Sequence, residues 1–585
     1  MKKFITTLLI LLSGLTYAHA LEISRYVSEG ATGQGLSAAD PSGNLREVLQ
    51  LSSQVDGLTI YLAPGTYHLP LAETYDQLPT YKGVTIYGGC TGDTYDTDNK
   101  SRIIGELHIN QGYIANIDFR HGSIGNPKND GREGELKTLD CNLDHVSATR
   151  LEANVSSHNQ IKLHNVWSPN LSIGAKFSTR NIPLVIMSKC SATGSANCGF
   201  TASSVRVIAD NCEFSNNSGG GMSLHNCTGS YFVDCKFMNN KTNGAISLSD
   251  ISDDITVTFQ RCIISNNSTS NPDRSAAIST GTPICLSNCL IAGNYSMSDN
   301  RQLKPHQGAI ELGRRASRFY NCTFYGNHSA LFYSMYPADQ NNITEPQFLN
   351  CLFLKNRVSY ISVHGMKPEL YYCAADFGSG IPELDAERGL LRITPDNVNI
   401  RVVDNEAVFI DEDSPLINKG QPIIANDLDG INRQMLGGTD IGCVEYHGEW
   451  RQVEGKESIQ LVDKEYIHVS NEYDGKKFHG LSPKSNLDTP TGIVGCGGSM
   501  LYLGDNLATY RKAADNVVVT YMTVDGKKTA ILQIYQEGVW NAMTSMPYTT
   551  ALPVAVQEQG LWKLKIPSSA SKTTRRTATG KLRRK

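Results

Sequence analysis

The sequence predicts an all-β fold: a single-stranded parallel β-helix followed by a small β-sandwich-like domain. Two repeated patterns carry the first part. Six segments align on one cysteine: "NCEFSNN" at Cys212, "DCKFMNN" at Cys235, "RCIISNN" at Cys262, "NCLIAGN" at Cys289, "NCTFYGN" at Cys322 and "NCLFLKN" at Cys351. They share C-x-Φ-x-x-N, with Φ Phe or Ile, at spacings of 23, 27, 27, 33 and 29 residues. Between them lie "GGGMSL", "NGAISL", "SAAIST" and "QGAIEL". Units of this length, made of short alternating strands without helical periodicity, match one coil of a parallel solenoid. Strands scattered through an ordinary sandwich would not repeat three fixed offsets six times.

Each position in the motif has a physical reading. Strand alternation puts Cys and Φ on one face. Cysteine is small and readily buried, so it suits an inward ladder. Phe232, Phe259, Leu286, Phe319 and Phe348 stand three residues before their cysteines and are also expected inside. The terminal asparagines (Asn217, Asn240, Asn267, Asn294, Asn327, Asn356) are expected at a corner, because asparagine tolerates the left-handed region. Stacked amides there can hydrogen-bond from turn to turn. Two earlier segments fit loosely. "NIDFRHG" has Ile117 in the cysteine's place, and "DCNLDHV" keeps Cys141 but lacks the asparagine.

Composition is globular, with 40% hydrophobic and 19% charged residues, and the net charge of −4 gives no sign of nucleic-acid binding. The first 20 residues read as a secretory signal peptide: two lysines, an apolar run and the Ala18-His19-Ala20 cleavage pattern. The short start suggests a bacterial protein. With no further apolar stretch of membrane-spanning length, the expectation is a protein secreted to the periplasm, the medium or the cell surface, without a transmembrane segment. A monomer is expected. The 15 cysteines are expected to be mostly free thiols, although neighbouring rungs lie near enough for a disulfide. No CxxC pair occurs, and a ladder cannot form a tetrahedral site. No metal-ligand set is assigned.

The paired G-A-I and F-x-x-N elements resemble the repeats of polymorphic outer-membrane proteins and related right-handed β-helix surface proteins. "YVSEGATGQGLSAADPSGNLREVLQLSSQVDGLTIYLAPGTYHL" (26–69) is similar to the cap region of pectate-lyase-like β-helix proteins. In it Leu45, Val48, Leu49 and Ser52 fit a short amphipathic helix shielding the open end of the coil. "TIYLAPGTY" reads as a first strand and turn, and "TIYGGCTG" as the next coil. "DSPLINKGQPIIANDLDGINRQMLGGTDIGCVEY" (413–446) is similar to the closing segment of bacterial surface β-helix proteins, with Ile431 where Asn is usual and Cys443 where Ala is usual. The resemblance covers about residues 21–447 and implies a right-handed helix. It says little about activity, because architecture defines the family.

The expected organisation is a signal peptide (1–20), cap and first coils (21–100), repeats and closing segment (101–447), a β-rich domain (451–567) and a basic tail (568–585). The domain is read from alternating runs such as "NVVVTYMTV" and "TAILQIYQ", with turns at "DGKK" and "EGVW". The stretch 572–585 carries seven basic residues and no acid, as a solvated tail or an electrostatic tether does.

Chemistry is expected on outward side chains and interrupting loops. The residue after each G-A-I isoleucine or its equivalent gives an outward row, Ser223, Ser247, Ser279 and Glu311. The longest unit, with "NRQLKPHQGAIELGRR", is expected to bulge as a loop bearing Arg301, Lys304 and His306, next to Glu311 and Arg314. Lys304, His306 and Arg314 are the candidate catalytic residues, because an eliminating lyase needs a base and a positive charge on the uronate carboxylate. Arg301, Glu311 and His225 are the candidate binding residues. No cofactor is expected. Calcium would be the cation of a lyase, and Asp250, Asp253 and Asp254 of "SDISDD" would be its acidic oxygens. "NDLDG" lacks the full ligand set of a calcium loop. Acids on the repeat strands are too sparse for an inverting glycosidase pair. Two readings follow. The first is an exported surface β-helix that binds a polysaccharide or surface glycan without catalysis. The alternative is a polysaccharide lyase acting on an acidic polymer. A spacer displaying the C-terminal domain is a third.

Overall fold

The computed structural model describes residues 22–446 apart from 71–77, 120–133, 158, 177–181, 250–255, 272–273, 297–308, 313–316, 328–331, 335–345, 357–367, 377–387, 412, 422–426, 430–432 and 434–438. Beyond these it describes 450–452, 458–461, 469–470, 492–495, 499–502, 509–514, 517–524, 527–536, 539–549, 553–558 and 561–566. The proposed signal peptide and basic tail lie outside the described residues.

The coil begins one strand earlier than "TIYLAPGTY". Glu22–Val27 pairs in parallel with Gly57–Leu62, which pairs with Thr80–Tyr87. The connection carries the expected helix, α1 (Leu45–Gln50), whose first turn is capped by the Asn44 side chain accepting from the Glu47 amide. Leu45, Val48 and Leu49 are buried in the same core as Leu58, Ile60 and Leu62. The amphipathic face therefore closes the end of the coil as its spacing requires.

From 220 onward each turn lays down three short strands, one on each of three faces. The first face stacks Gly220–His225, Ile246–Ser249, Ile278–Thr280, Ile310–Leu312 and Phe332–Ser334. The second stacks Tyr231–Val233, Val257–Gln260, Ile284–Ser287, Arg318–Tyr320, Gln347–Leu349 and Glu369–Tyr371. The third stacks Lys236–Met238, Ile263–Ser265, Leu290–Ala292, Thr323–Tyr325 and Leu352–Leu354. All these pairings are parallel, so every backbone amide row continues from turn to turn.

The interior follows the motif. All six aligned cysteines and their Φ partners are buried, as are Phe232, Phe259, Leu286, Phe319 and Phe348. Like stacks on like: Phe232 on Phe259 at 5.2 Å, Phe319 on Phe348 at 4.6 Å, and Phe324 on Phe353 at 5.0 Å between ring centroids. Every cysteine among the described residues is a free thiol. Each ladder thiol donates to a nearby carbonyl, Cys235 to Val233 O at 3.1 Å for example. Burial raises the Cys262 and Cys322 thiols well above their ordinary value, so they stay protonated.

The terminal asparagines form the expected ladder but do not take the expected conformation. Asn217, Asn240, Asn267, Asn294 and Asn327 each donate Nδ2 to the next asparagine's Oδ1 at 2.9–3.1 Å. That same Oδ1 accepts the preceding ladder residue's backbone N–H at 3.0–3.2 Å. The left-handed residues are their neighbours, Asn216, Asn239, Asn266, Gly293, Gly326 and Lys355. A second left-handed corner lies just before the cysteine, at Asn211, Asp234, Arg261, Asn288, Asn321 and Asn350. The corner conformation frees the chain to turn, and the buried amide next to it satisfies the polar groups the turn exposes.

"DCNLDHV" needs a second correction. Asp140 is left-handed, but Cys141 lies within the strand Glu135–Asp144, opposite Gly112, at the corner between the first and second faces. In that turn the cysteine-ladder position belongs to buried Val146, which follows left-handed His145.

The closing segment, together with the strand Ala407–Ile410 just before it, packs outside the third face. Val408, Cys443 and Val444 bury against Leu290 and Ala292. Fully buried Arg433 donates to Asn288 Oδ1 at 2.6 Å and Gly442 O at 2.7 Å, and pairs with Glu445. Asp427 of "NDLDG" accepts the Asp429 and Glu445 amides at 3.0 and 2.9 Å, which gives it a structural role. Further on, Thr509–Ala514, Val517–Val524, Lys527–Gln536 and Val539–Pro547 form a four-stranded antiparallel sheet. Its second and third strands flank residues 525–526 of "DGKK", and its third and fourth flank 537–538 of "EGVW", which lie outside the described residues. Leu564, from the hairpin Val554–Glu558 and Leu561–Lys565, joins its core of Val517, Val519, Ala530 and Leu532.

Candidate functional site

Lys304, His306, Arg301 and Arg314 lie outside the described residues, as do Asp250, Asp253 and Asp254. The outward row is in register as expected: Ser223 opposite Ser247, Ser247 opposite Ser279, Ser279 opposite Glu311. Ser279 and Glu311 are nevertheless only 3% exposed, so this end of the row is covered and Glu311 is not presented to solvent. His225 is exposed, with Nδ1 3.4 Å from Ser249 Oγ. The structure therefore does not bring His225 and Glu311 together in one open site.

A different row collects more chemistry. Along the second face one strand position beside the inward residues stays in register from turn to turn and faces outward except where it is covered, as at Ala115 and Asp210. In register it runs Tyr26, Tyr61, Tyr87, Ala115, Asp144, His164, Ser188 and Asp210. The first three tyrosines stack at 5.1 and 5.7 Å with interplanar angles of 21° and 15°. Tyr113 extends the stack, tilted 56° from Tyr87 at 5.6 Å. All four are half-buried, so the ring bodies cover one another and their edges face outward. The Tyr26 hydroxyl donates to Asp93, and that bond raises the phenol to about 12. Burial raises Tyr61 as well. These hydroxyls stay protonated and can both donate and accept.

The tyrosine stack leads directly into Asp144, His145 and His164. Tyr113 Oη donates to Asp144 Oδ2 at 3.1 Å, while Asp144 Oδ1 lies 2.7 Å from His145 Nδ1. The His145 and His164 rings meet edge to face at 5.5 Å.

A charged cluster occupies the first face of the same turns. Glu106 and Glu135 are opposite one another and buried. Lys137 Nζ lies 3.6 Å from Glu106 and 3.3 Å from Glu135, His108 Nε2 2.8 Å from Glu106, and Arg150 Nε 3.5 Å from Glu135. Burying two carboxylates side by side is costly without such partners.

The sequence quotes part of this row without revealing it. "TIYLAPGTY" and "TIYGGCTG" show the signal, an inward isoleucine followed by tyrosine. "LDHV" (143–146) and "LHNV" (163–166) align to put Asp144 beside His164.

Residues 128–282 match the family model described as the right handed beta helix region. The chain folds as a right-handed parallel β-helix. No curated protein matches it in sequence. Among solved structures, the β-helix is similar to a periplasmic alginate epimerase, AlgG, at 9% identity over 56% of this chain and 88% of that one, with a TM-score of 0.28. The A-module of the Azotobacter vinelandii mannuronan C-5 epimerase AlgE4 matches at 13% identity over 61% and 99%, with a TM-score of 0.30. A rhamnogalacturonan lyase matches at 12% over 67% and 96%, with a TM-score of 0.25. Likeness at this level does not bear on the chemistry of this β-helix. Among the described residues, no helix is long and apolar enough to cross a membrane.

Proposed function

We propose that the protein is exported and binds a glycan along the outer surface of its N-terminal turns, without catalysis. The observation that carries this reading is the outward stack of Tyr26, Tyr61, Tyr87 and Tyr113. Tyrosine combines an apolar body with a polar tip, and a polysaccharide combines apolar C–H faces with hydroxyls. The rings repeat at 5.1–5.7 Å, so the stack offers an extended polymer several equivalent contacts along one line. Repeated weak contacts of this kind add up through multivalency. The N-terminal 20 residues supply the export signal in this reading, and the bound polymer is a polysaccharide or surface glycan.

The test is affinity electrophoresis of the full chain through neutral and uronate polysaccharides. Retardation by at least one polymer is expected, lost in the Tyr61→Ala/Tyr87→Ala double variant. Equal migration of the variant and the parent in every gel overturns the reading.

The second reading is a polysaccharide lyase, favoured by Lys137, His108 and Arg150 standing together on the first face. Lys304, His306 and Arg314 remain its candidates from the sequence, and calcium would be its cation. Unsaturated products absorbing in the ultraviolet from a uronate polymer, abolished by Lys137→Met or Lys304→Ala, would replace binding with catalysis.

A further inference from the structure

We infer that Asp144, His145 and His164 form a binding site for a divalent transition-metal cation of the zinc class. One ligand-type atom from each residue lies within 4.8 Å of the other two, and all three side chains are half-buried. Two imidazoles and one carboxylate suit such a cation, whereas calcium and magnesium take oxygen ligands. Three protein ligands leave a coordination position open, as zinc sites that bind an exchangeable ligand do.

The fold builds this triad from two consecutive rungs. Asp144 and His164 are Cα partners on adjacent strands, Glu135–Asp144 and Gln160–His164, so their side chains leave the same face one rung apart. His145 is brought to them by its left-handed conformation, φ +53°. At the equivalent corners of the adjoining turns Asn116, Asn165, Lys189 and Asn211 stand in the same conformation. Asparagine accommodates that region well, so the corner alone does not require histidine. The imidazole at this one rung is set against Asp144 and His164 and nowhere else along the row.

Outer partners orient the ligands. The Tyr113 hydroxyl holds Asp144 Oδ2 and turns Oδ1 towards the histidines. His164 Nδ1 lies 3.1 Å from Ser188 Oγ; with Nδ1 donating there, Nε2 carries the lone pair. Metal-binding histidines characteristically fix their tautomer in this way. A cation would take the place of the proton shared by His145 Nδ1 and Asp144 Oδ1. The inference rests on these three side chains and is independent of glycan binding.

The test uses the full chain, Zn²⁺ by calorimetry and Co²⁺ by absorption spectroscopy. Binding of Zn²⁺ and a visible Co²⁺ spectrum without a thiolate charge-transfer band are expected, which separates this site from the cysteines. His145→Asn and His164→Ser place at each position a residue that the same row already carries in a neighbouring turn, so the fold should be kept. Each should weaken Zn²⁺ binding by at least about 10-fold, the lower end of what disturbing even an outer partner costs. Each should also abolish any rise in melting temperature caused by Zn²⁺. No Zn²⁺ binding by the parent, or a thiolate band in the Co²⁺ spectrum, or unchanged affinity in both variants, overturns the inference.

Discussion

The turns between Cys190 and Asn356 and those between Glu22 and Ser188 share one coil geometry but fill it with different residues. In the central turns the ladders are inward: cysteine, phenylalanine and asparagine recur at fixed offsets, and the corners are mostly asparagine. In the N-terminal turns the cysteine position holds Ile117, Val146 and Val166, and the conspicuous stack is outward, made of tyrosines. A solenoid is stabilised by nearest-neighbour contacts between turns. The central turns obtain these contacts from a strict repeat, and the N-terminal turns from ordinary aliphatic packing. Where the strict inward code is absent, the outer surface carries stacked tyrosines, two histidines and a charged cluster. Regularity marks the scaffold, and departure from it marks the place to look for chemistry.

The largest expected effect tests the aromatic half of the central code. Phe259 stacks on Phe232 and meets Phe237 edge to face at 5.9 Å. Phe259→Ala should cost about 3–5 kcal/mol, the transfer term plus an unfilled cavity. Urea unfolding followed by tyrosine fluorescence and circular dichroism would measure it. A cost below about 1 kcal/mol would mean that the stack is loosely packed and the comparison fails.

Asn267→Ala comes next. It removes the acceptor of the Asn240 amide and side chain and the donor to Phe237 O, all buried. Each stranded group costs roughly 1–3 kcal/mol. Because the amide joins consecutive turns, the loss weakens the interface itself. Circular dichroism and hydrogen exchange should show the turns on either side of Asn267 separating into two transitions, while the N-terminal turns keep their protection.

How much of this was legible depended on what each feature needs. The inward positions of Cys212 and Phe214 follow from alternation alone, and the asparagine ladder from stacking alone. The corner lies one residue before the ladder asparagine, at Asn216, Asn239 and Asn266 in three of the units, so two asparagines stand side by side there. Spacing does not tell which of the two is left-handed; that depends on where the three faces meet. The burial of Glu311 was hidden because an outward strand position is open only if nothing packs over it. The Asp144, His145 and His164 cluster was hidden because it needs the register of two turns lacking the cysteine tag. Once "LDHV" and "LHNV" are set one above the other, the pair is visible.

Alkali should act on single buried thiols by a smaller margin. Burial raises Cys227, at a corner of the central turns, from 9.0 to about 11. A group raised in the folded state stabilises it fully below the unfolded value and loses that contribution as pH passes the folded one. The Cys227 term is therefore intact below pH 9.0 and lost by about pH 11. In the N-terminal turns burial raises Cys90 over the same window, from 9.0 to about 11, and Tyr67 from 10.0 to about 12, whose loss begins a unit later. Urea midpoints from pH 8 to 11 should fall less steeply in Cys227→Ala than in the parent. Parallel curves would remove the thiol from the account.

The smallest expected stability effect is also the most discriminating about function. Tyr87 stands between Tyr61 and Tyr113 with ring centroids at 5.7 and 5.6 Å. Tyr87→Phe keeps the ring and removes only the hydroxyl, and should leave stability within about 0.5 kcal/mol. Tyr87→Ala removes the ring and both its aromatic contacts and should cost about 1–3 kcal/mol, roughly 0.5–1.5 kcal/mol for each pair. Glycan retention then identifies which part of the side chain the polymer meets. If the hydroxyl row makes the contact, both variants lose retention together, despite their different stabilities. If the ring body makes it, Phe retains and Ala does not. If both variants retain as the parent does, the stack is only an external counterpart of the phenylalanine ladders, and the contrast between an inward scaffold and an outward binding surface has to be abandoned for Tyr87.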